Sequence, residues 1–107
     1  MDENCIFCQI IAGKSPGTLF YQDAQVIVLK DIYPQAPVHW MVISKKHIPE
    51  FLDADESLVG HMMSVAKKVI REKHIQKYRI VNNGKGAAFI DHLHFHVLGS
   101  IDKNRKL

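Results

Sequence analysis

Residues 91–99, Asp91-His92-Leu93-His94-Phe95-His96-Val97-Leu98-Gly99, constrain this chain more than any other stretch. Histidine alternates there with Leu93, Phe95 and Val97. Alternate side chains on a β-strand share a face at a spacing of about 6.5–7 Å. The pattern therefore predicts a strand with His92, His94 and His96 on one face and the apolar residues on the other. A helix would scatter the three rings around its circumference, and the aromatic and β-branched neighbours also favour a strand. Such a strand is anchored in a core by one face while it offers imidazoles to a pocket on the other.

The remaining sequence reads as a scaffold for that strand. Ile6, Phe7, Ile10 and Ile11 have helical spacing, which predicts a short helix over 5–13 that stops at Gly13. Strand-like runs over 18–21 and 25–29 flank Gln22-Asp23-Ala24, a hairpin connection. Asp31-Ile32-Tyr33-Pro34-Gln35-Ala36-Pro37 is a loop whose prolines hold the preceding residues extended. In Val38–Ile43 the alternation puts Trp40 and Val42 on one face, and His39, Met41 and Ile43 on the other. A long helix is predicted from about Asp55 to His74, with Leu58, Met62, Val65, Ala66, Val69 and Ile70 facing the core. Asp53 and Glu56 have capping-box spacing. Gly60, which costs about 1 kcal/mol relative to alanine in a helix, suggests a close contact. A fourth strand over 78–82 and a glycine-containing loop lead into the histidine strand. Long runs of like elements predict an α+β fold with a largely antiparallel sheet, as a single domain over residues 1–107.

Size and charge narrow the function classes. With 107 residues the chain has one modest core, and a dimer is an easy way to bury more. The net charge is +3, and Lys45-Lys46, Lys67-Lys68 and Lys103-Asn104-Arg105-Lys106 read as ordinary solvated charges, so no nucleic-acid partner is expected. No run approaches the ~20 apolar residues of a membrane span. Met1-Asp2-Glu3-Asn4 does not begin a signal peptide. Cys5-x-x-Cys8 in such a chain suggests a cytoplasmic protein with metal or redox use of the pair, and no disulfide framework. A redox pair would usually accompany a βαβ pattern, which is not evident here.

Three readings fit the histidines. They can be structural, or a three-histidine metal site that recruits a fourth group, or the machinery of phosphate chemistry. The third uses imidazole best. A ring whose other nitrogen donates to a carbonyl is a nucleophile near neutral pH, and a neighbouring ring can donate to a phosphoryl oxygen.

His92-Leu93-His94-Phe95-His96-Val97-Leu98 resembles the defining motif of the histidine-triad (HIT) nucleotide hydrolases and transferases. Cys5–Ile11, Asp31–Pro37 followed by His39, Lys45-Lys46-His47-Ile48, and Val81-Asn82 before a glycine loop are similar to the Hint branch of that family, in the same order. The resemblance covers residues 4–99. It implies the HIT fold: a five-stranded, mostly antiparallel sheet with one long and one short helix, dimerising. It also implies cleavage of purine nucleoside 5′-phosphoramidates at the α-phosphate through a covalent nucleotidyl-histidine on His94. His96 would bind the phosphoryl oxygen, His92 would orient the strand, and His39 would be a further active-site histidine. Asp31 would take the ribose hydroxyls. Phe7, Ile10, Leu29 and Ile32 would wall the purine, with Asn82 and Phe89 near the phosphate and its loop. Cys5, Cys8, His47 and His92 would hold a structural zinc ion.

The same resemblance leaves other activities open: a diadenosine-polyphosphate hydrolase or nucleotidyltransferase with the same nucleophile, or a nucleotide-binding regulator of low turnover. Gly86-Ala87-Ala88-Phe89-Ile90-Asp91 carries no hydroxyl or amide side chain where the family commonly has one. Leaving-group stabilisation there falls to backbone N–H groups. Asp91 either buttresses His92 or sits at the start of the strand.

Overall fold

The computed structural model describes residues 4–107. In chain order it runs α1 (Ile6–Ile11), β1 (Leu19–Gln22), β2 (Val26–Lys30), β3 (Val38–Ser44), a 3-10 turn (Phe51–Asp53), α2 (Glu56–Glu72), β4 (Arg79–Val81) and β5 (His94–Gly99). The strands form one antiparallel sheet in the order β1-β2-β3-β5-β4. Helix α2 covers one face, packing Met62, Val65, Ala66 and Val69 against Val26, Val28, Val42, Phe95 and Val97. Helix α1 covers part of the other, where Phe7, Cys5 and Cys8 meet Ile27, Leu29 and Ile43. Because both faces are covered, Val26 to Leu29 are all buried and β2 reads as a continuous apolar run. None of the described helices is long and apolar enough to cross a membrane.

Local chemistry explains most boundaries. Asp23 closes the first hairpin: Oδ1 accepts from the backbone N–H of Gln25 and Val26, while Oδ2 accepts from the Tyr21 hydroxyl and meets His61 of α2 at 2.7 Å. Burial alone would raise this carboxyl, but those hydrogen bonds prevail and hold it at about 2. Helix α2 ends on a left-handed residue, His74 (φ 52), and the Ile75 N–H returns to the Ile70 carbonyl at 2.9 Å. Gly99 ends β5 beneath that turn, where a Cβ would lie 2.5 Å from Ile75 and 3.0 Å from Val38.

Three expectations are corrected. The cap of α2 is Asp55, whose side chain accepts from Leu58 N–H at 2.8 Å; Asp53 is taken up by the 3-10 turn, which shifts the helix start. A Cβ on Gly60 would meet nothing within 4 Å, so no close contact explains that glycine. The histidine strand begins at His94, not earlier. Backbone bonds from Leu93 N–H to the Ile48 carbonyl and from Ser44 N–H to the Leu93 carbonyl bind the preceding segment outside the β4–β5 ladder.

Candidate active site and metal cluster

The β3–β5 register builds the site. Ile43 lies opposite His94, Met41 opposite His96 and His39 opposite Leu98, so His39, His94 and His96 share the face away from α2. The rings of His94 and His96 are 4.9 Å apart, and those of His39 and His96 5.0 Å. His92, outside the strand, leaves this floor and turns toward the cysteines. Three rings do line one floor, but His39 replaces His92 as the third.

Hydrogen-bond partners fix which nitrogen of each ring carries the proton. His94 Nδ1 lies 2.6 Å from the His92 carbonyl oxygen. A carbonyl only accepts, so Nδ1 is the N–H and the lone pair of neutral His94 is on Nε2. His92 donates from Nε2 to the Ser44 carbonyl, which leaves its Nδ1 lone pair facing Cys5 Sγ at 3.3 Å and Cys8 Sγ at 3.5 Å. His39 Nδ1 accepts the Gln35 backbone N–H at 3.0 Å, so His39 carries its proton on Nε2. That proton faces His96 Nδ1 at 2.8 Å, with Asp31 Oδ2 at 3.3 Å. His96 Nδ1 therefore accepts, and His96 presents an Nε2–H donor while still neutral. The floor offers one lone pair, on His94, beside one fixed donor, on His96.

Asp31, His39 and His96 also lie close enough together to suggest a metal triad. The tautomer argues against it, because His39 Nε2 bears a proton and has no lone pair for an ion. The cluster of Cys5, Cys8, His47 and His92 passes the same test. His92 Nδ1 is a free lone pair, and His47 Nδ1 lies 3.2 Å from Cys8 Sγ. A tetrahedral ion with bonds of ~2.3 Å to sulfur and ~2.0 Å to nitrogen separates such ligands by about 3.5 Å. These residues fit zinc with little movement.

Burial pushes the imidazoles of His39, His92 and His94 below the ordinary value of 6.5. His96 falls to about 4, through burial first and then its neighbours His94 and His39. Burial also raises the Cys5 thiol. These four imidazoles are thus neutral near pH 7. Their burial also makes stability depend on pH. His96 has a folded value below its unfolded one, so the unfolded chain takes up the proton first as pH falls. The contribution is whole above pH 6.5 and is lost toward pH 4, at most about 3 kcal/mol from His96. The urea midpoint of chelator-treated protein should fall clearly between pH 7.5 and pH 4.5; an unchanged midpoint contradicts neutral burial.

The other expected site residues divide. Phe7 is buried, with its ring edge-on to His92 at 5.7 Å and to His94 at 5.0 Å. Ile10 is half-buried against the same cluster. Leu29 is only 2% exposed and belongs to the core, while Ile32 stands 75% exposed beside Asp31. Phe89 is fully in solvent. Asn82 donates its amide to the His94 carbonyl at 3.0 Å, which holds the start of β5. Asp91 is exposed at the strand entrance and does not contact His92, whose Nε2 is taken by Ser44. Sequence reasoning missed the Ser44 carbonyl and the Gln35 N–H, because backbone groups leave no residue-type signal.

Known proteins share the fold that carries this site. A family model described as "Scavenger mRNA decapping enzyme C-term binding" matches residues 4–106. A HIT-like protein of Synechocystis is 39% identical over 105 residues, 92% of each chain. A HIT family hydrolase from Clostridium thermocellum superimposes with a TM-score of 0.90 at 38% identity, covering 100% of this chain and 99% of the other. A zinc-bound histidine-triad protein from Mycobacterium smegmatis superimposes with a TM-score of 0.83 at 28% identity, covering 94% of this chain and 78% of that one.

Proposed function

This chain belongs to the histidine-triad family, and from that premise we propose that it is a cytoplasmic hydrolase of purine nucleoside 5′-phosphoramidates. The observation that carries the reading is the pair of fixed tautomers: an unprotonated Nε2 on His94 beside an Nε2–H on His96. His94 Nε2 attacks the α-phosphorus and a P–Nε2 bond forms. The P–N bond to the leaving group breaks, and the amine departs with a proton from water. The His92 carbonyl, already bonded to His94 Nδ1–H, stabilises the positive charge that develops on the ring. His96 donates to a phosphoryl oxygen. A water molecule then cleaves the nucleotidyl-histidine, giving the nucleoside monophosphate and restoring His94. Asp31 takes the ribose hydroxyls, and Phe7 and Ile10 line the base side. Ile32 and Phe89 would reach the nucleotide only by folding onto it. Asn82 serves the site by holding β5.

Cys5, Cys8, His47 and His92 would hold zinc, which supplies structural cross-linking of α1 to the segment before β5. His92 belongs to both assemblies, since its Nδ1 faces the thiols and its carbonyl fixes the nucleophile.

Incubation with adenosine phosphoramidate, followed by AMP release, tests the reading; measurable AMP binding without release would defeat it. That outcome would support a second reading, a low-turnover nucleotide-binding protein. Gly86–Asp91 favours it, because the stretch offers no hydroxyl or amide side chain to a leaving group.

We also read the protein as a two-fold homodimer with a continuous sheet. Strands β1 and β4 are the sheet's outer members, and a free edge is a template for a second copy. Sedimentation at micromolar concentration should give a species of twice the 12.2 kDa chain mass, and a monomer would contradict the dimer.

A further inference from the structure

The C-terminal segment brings a cation to the rim of the site. Ser100 turns the chain through the left-handed region (φ 57). Asp102 then folds it back, its Oδ1 accepting from Asn104 N–H at 2.8 Å and its carbonyl from Arg105 N–H at 2.9 Å. Arg79 of β4 clasps the segment, donating to the Arg105 carbonyl at 2.8 Å and the Lys106 carbonyl at 3.4 Å. Held in this way, Arg105 Nη1 donates to the Gln35 carbonyl at 2.6 Å. Gln35 is the residue whose N–H fixes His39. The guanidinium therefore lies one loop residue from the His39–His96 pair. Its field reaches His39: burial chiefly holds that ring below its ordinary value, Asp31 opposes this, and the charge of Arg105 adds to the lowering.

Among the described residues Arg105 forms no ion pair. A backbone carbonyl orients the guanidinium but neutralises none of its charge, and most of its donors remain open. An oriented, unpaired guanidinium beside a phosphate-chemistry floor suits an anion. Every nucleotide brings an anionic α-phosphate, so selectivity must come from the group beyond it.

We propose that Arg105 is a specificity-determining residue that favours nucleotides whose leaving group is itself anionic, bearing a further phosphate or a carboxylate, over those with a neutral amine. The inference rests on the hydrolase reading above and names the leaving-group class of that site. The planar fork of Arg105 can hold either oxyanion by paired hydrogen bonds.

Wild type, Arg105→Gln and Arg105→Lys are compared by kcat/KM on three adenosine substrates: the unsubstituted phosphoramidate, the phosphoramidate of glycine, and diadenosine tetraphosphate. Glutamine keeps the backbone carbonyl that Arg79 clasps. Arg105→Gln should lose about tenfold on the anionic substrates, as expected for a lost charge-assisted contact, and less than about twofold on the neutral one. Arg105→Lys should recover part of the loss, and added salt should shrink it. Loss on one anionic substrate alone supports the proposal and identifies whether phosphate or carboxylate is preferred. Equal loss on all three, or none on any, overturns it. If wild type turns over none of the three, the hydrolase reading fails by itself, and calorimetry still decides on Arg105. The Gln variant should then bind ADP about tenfold more weakly while AMP stays within about twofold; parallel changes, or no change in either, overturn the proposal.

Discussion

Replacing His94 by asparagine should lower AMP release from adenosine phosphoramidate by about 10⁴-fold or more, while AMP binding stays within a few-fold of wild type. Loss of a covalent nucleophile removes the whole two-step route, and what remains is binding and electrostatic help. Asparagine is the informative substitution because His94 is 6% exposed and its Nδ1–H satisfies the His92 carbonyl. The Asn amide can supply that donor, whereas alanine would also leave a buried carbonyl unpaired at a cost of about 1–3 kcal/mol. A fall in activity with asparagine is then chemical and not a consequence of unfolding. Wild type quenched in alkaline denaturant, where a P–N bond to imidazole survives, should carry a nucleotidyl adduct on the peptide containing His94, and the variant should carry none. Equal turnover by the two proteins would remove His94 from the mechanism.

Cys8→Ser should abolish zinc binding and lower the thermal midpoint by about 10–20 °C. Structural zinc in small domains contributes free energy directly to folding. At roughly 4–8 °C per kcal/mol for a chain near this size, a net contribution of a few kcal/mol gives that shift. Cys8 is the informative member of the proposed set, since its sulfur lies 3.2 Å from His47 Nδ1 and 3.5 Å from His92 Nδ1. A chelator should reproduce the shift in wild type and add nothing to the variant. Zinc stoichiometry equal to wild type would refute the ligand set. Activity should also fall, because His92 no longer holds its carbonyl rigidly under His94. Retained activity in the destabilised variant would show that the metal acts on stability alone.

The two histidine assemblies differ in how far the sequence reveals them. The period of two in residues 91–99 placed the apolar face correctly, since Leu93, Phe95 and Val97 all enter the α2-side core. It treated the three rings as equivalent, and the fold does not. His92 is pulled out of the ladder by the backbone bond of its neighbour Leu93 to Ile48 and by its own ring's bond to Ser44, partners more than forty residues away. The resemblance in the flanking segments did group His92 with Cys5, Cys8 and His47, and the fold brings those four together. Arg105 was invisible to both routes. In sequence it is one charge in a basic tail, and only the Asp102 turn and the Arg79 clasp bring it to Gln35.

The sequence by itself determined the element types, the faces of β3 and the apolar face of the histidine strand. Periodicity and residue type are local, and they survive without knowledge of what packs where. The tertiary structure decided which ring nitrogen is free, how His92 turns from the strand toward the cysteines, where α2 is capped, and which tail cation reaches the Gln35 carbonyl. Each of those depends on a backbone carbonyl, a backbone N–H or a turn supplied by a remote segment. A main-chain donor or acceptor is the same in every residue but proline, so its role is written only in the fold.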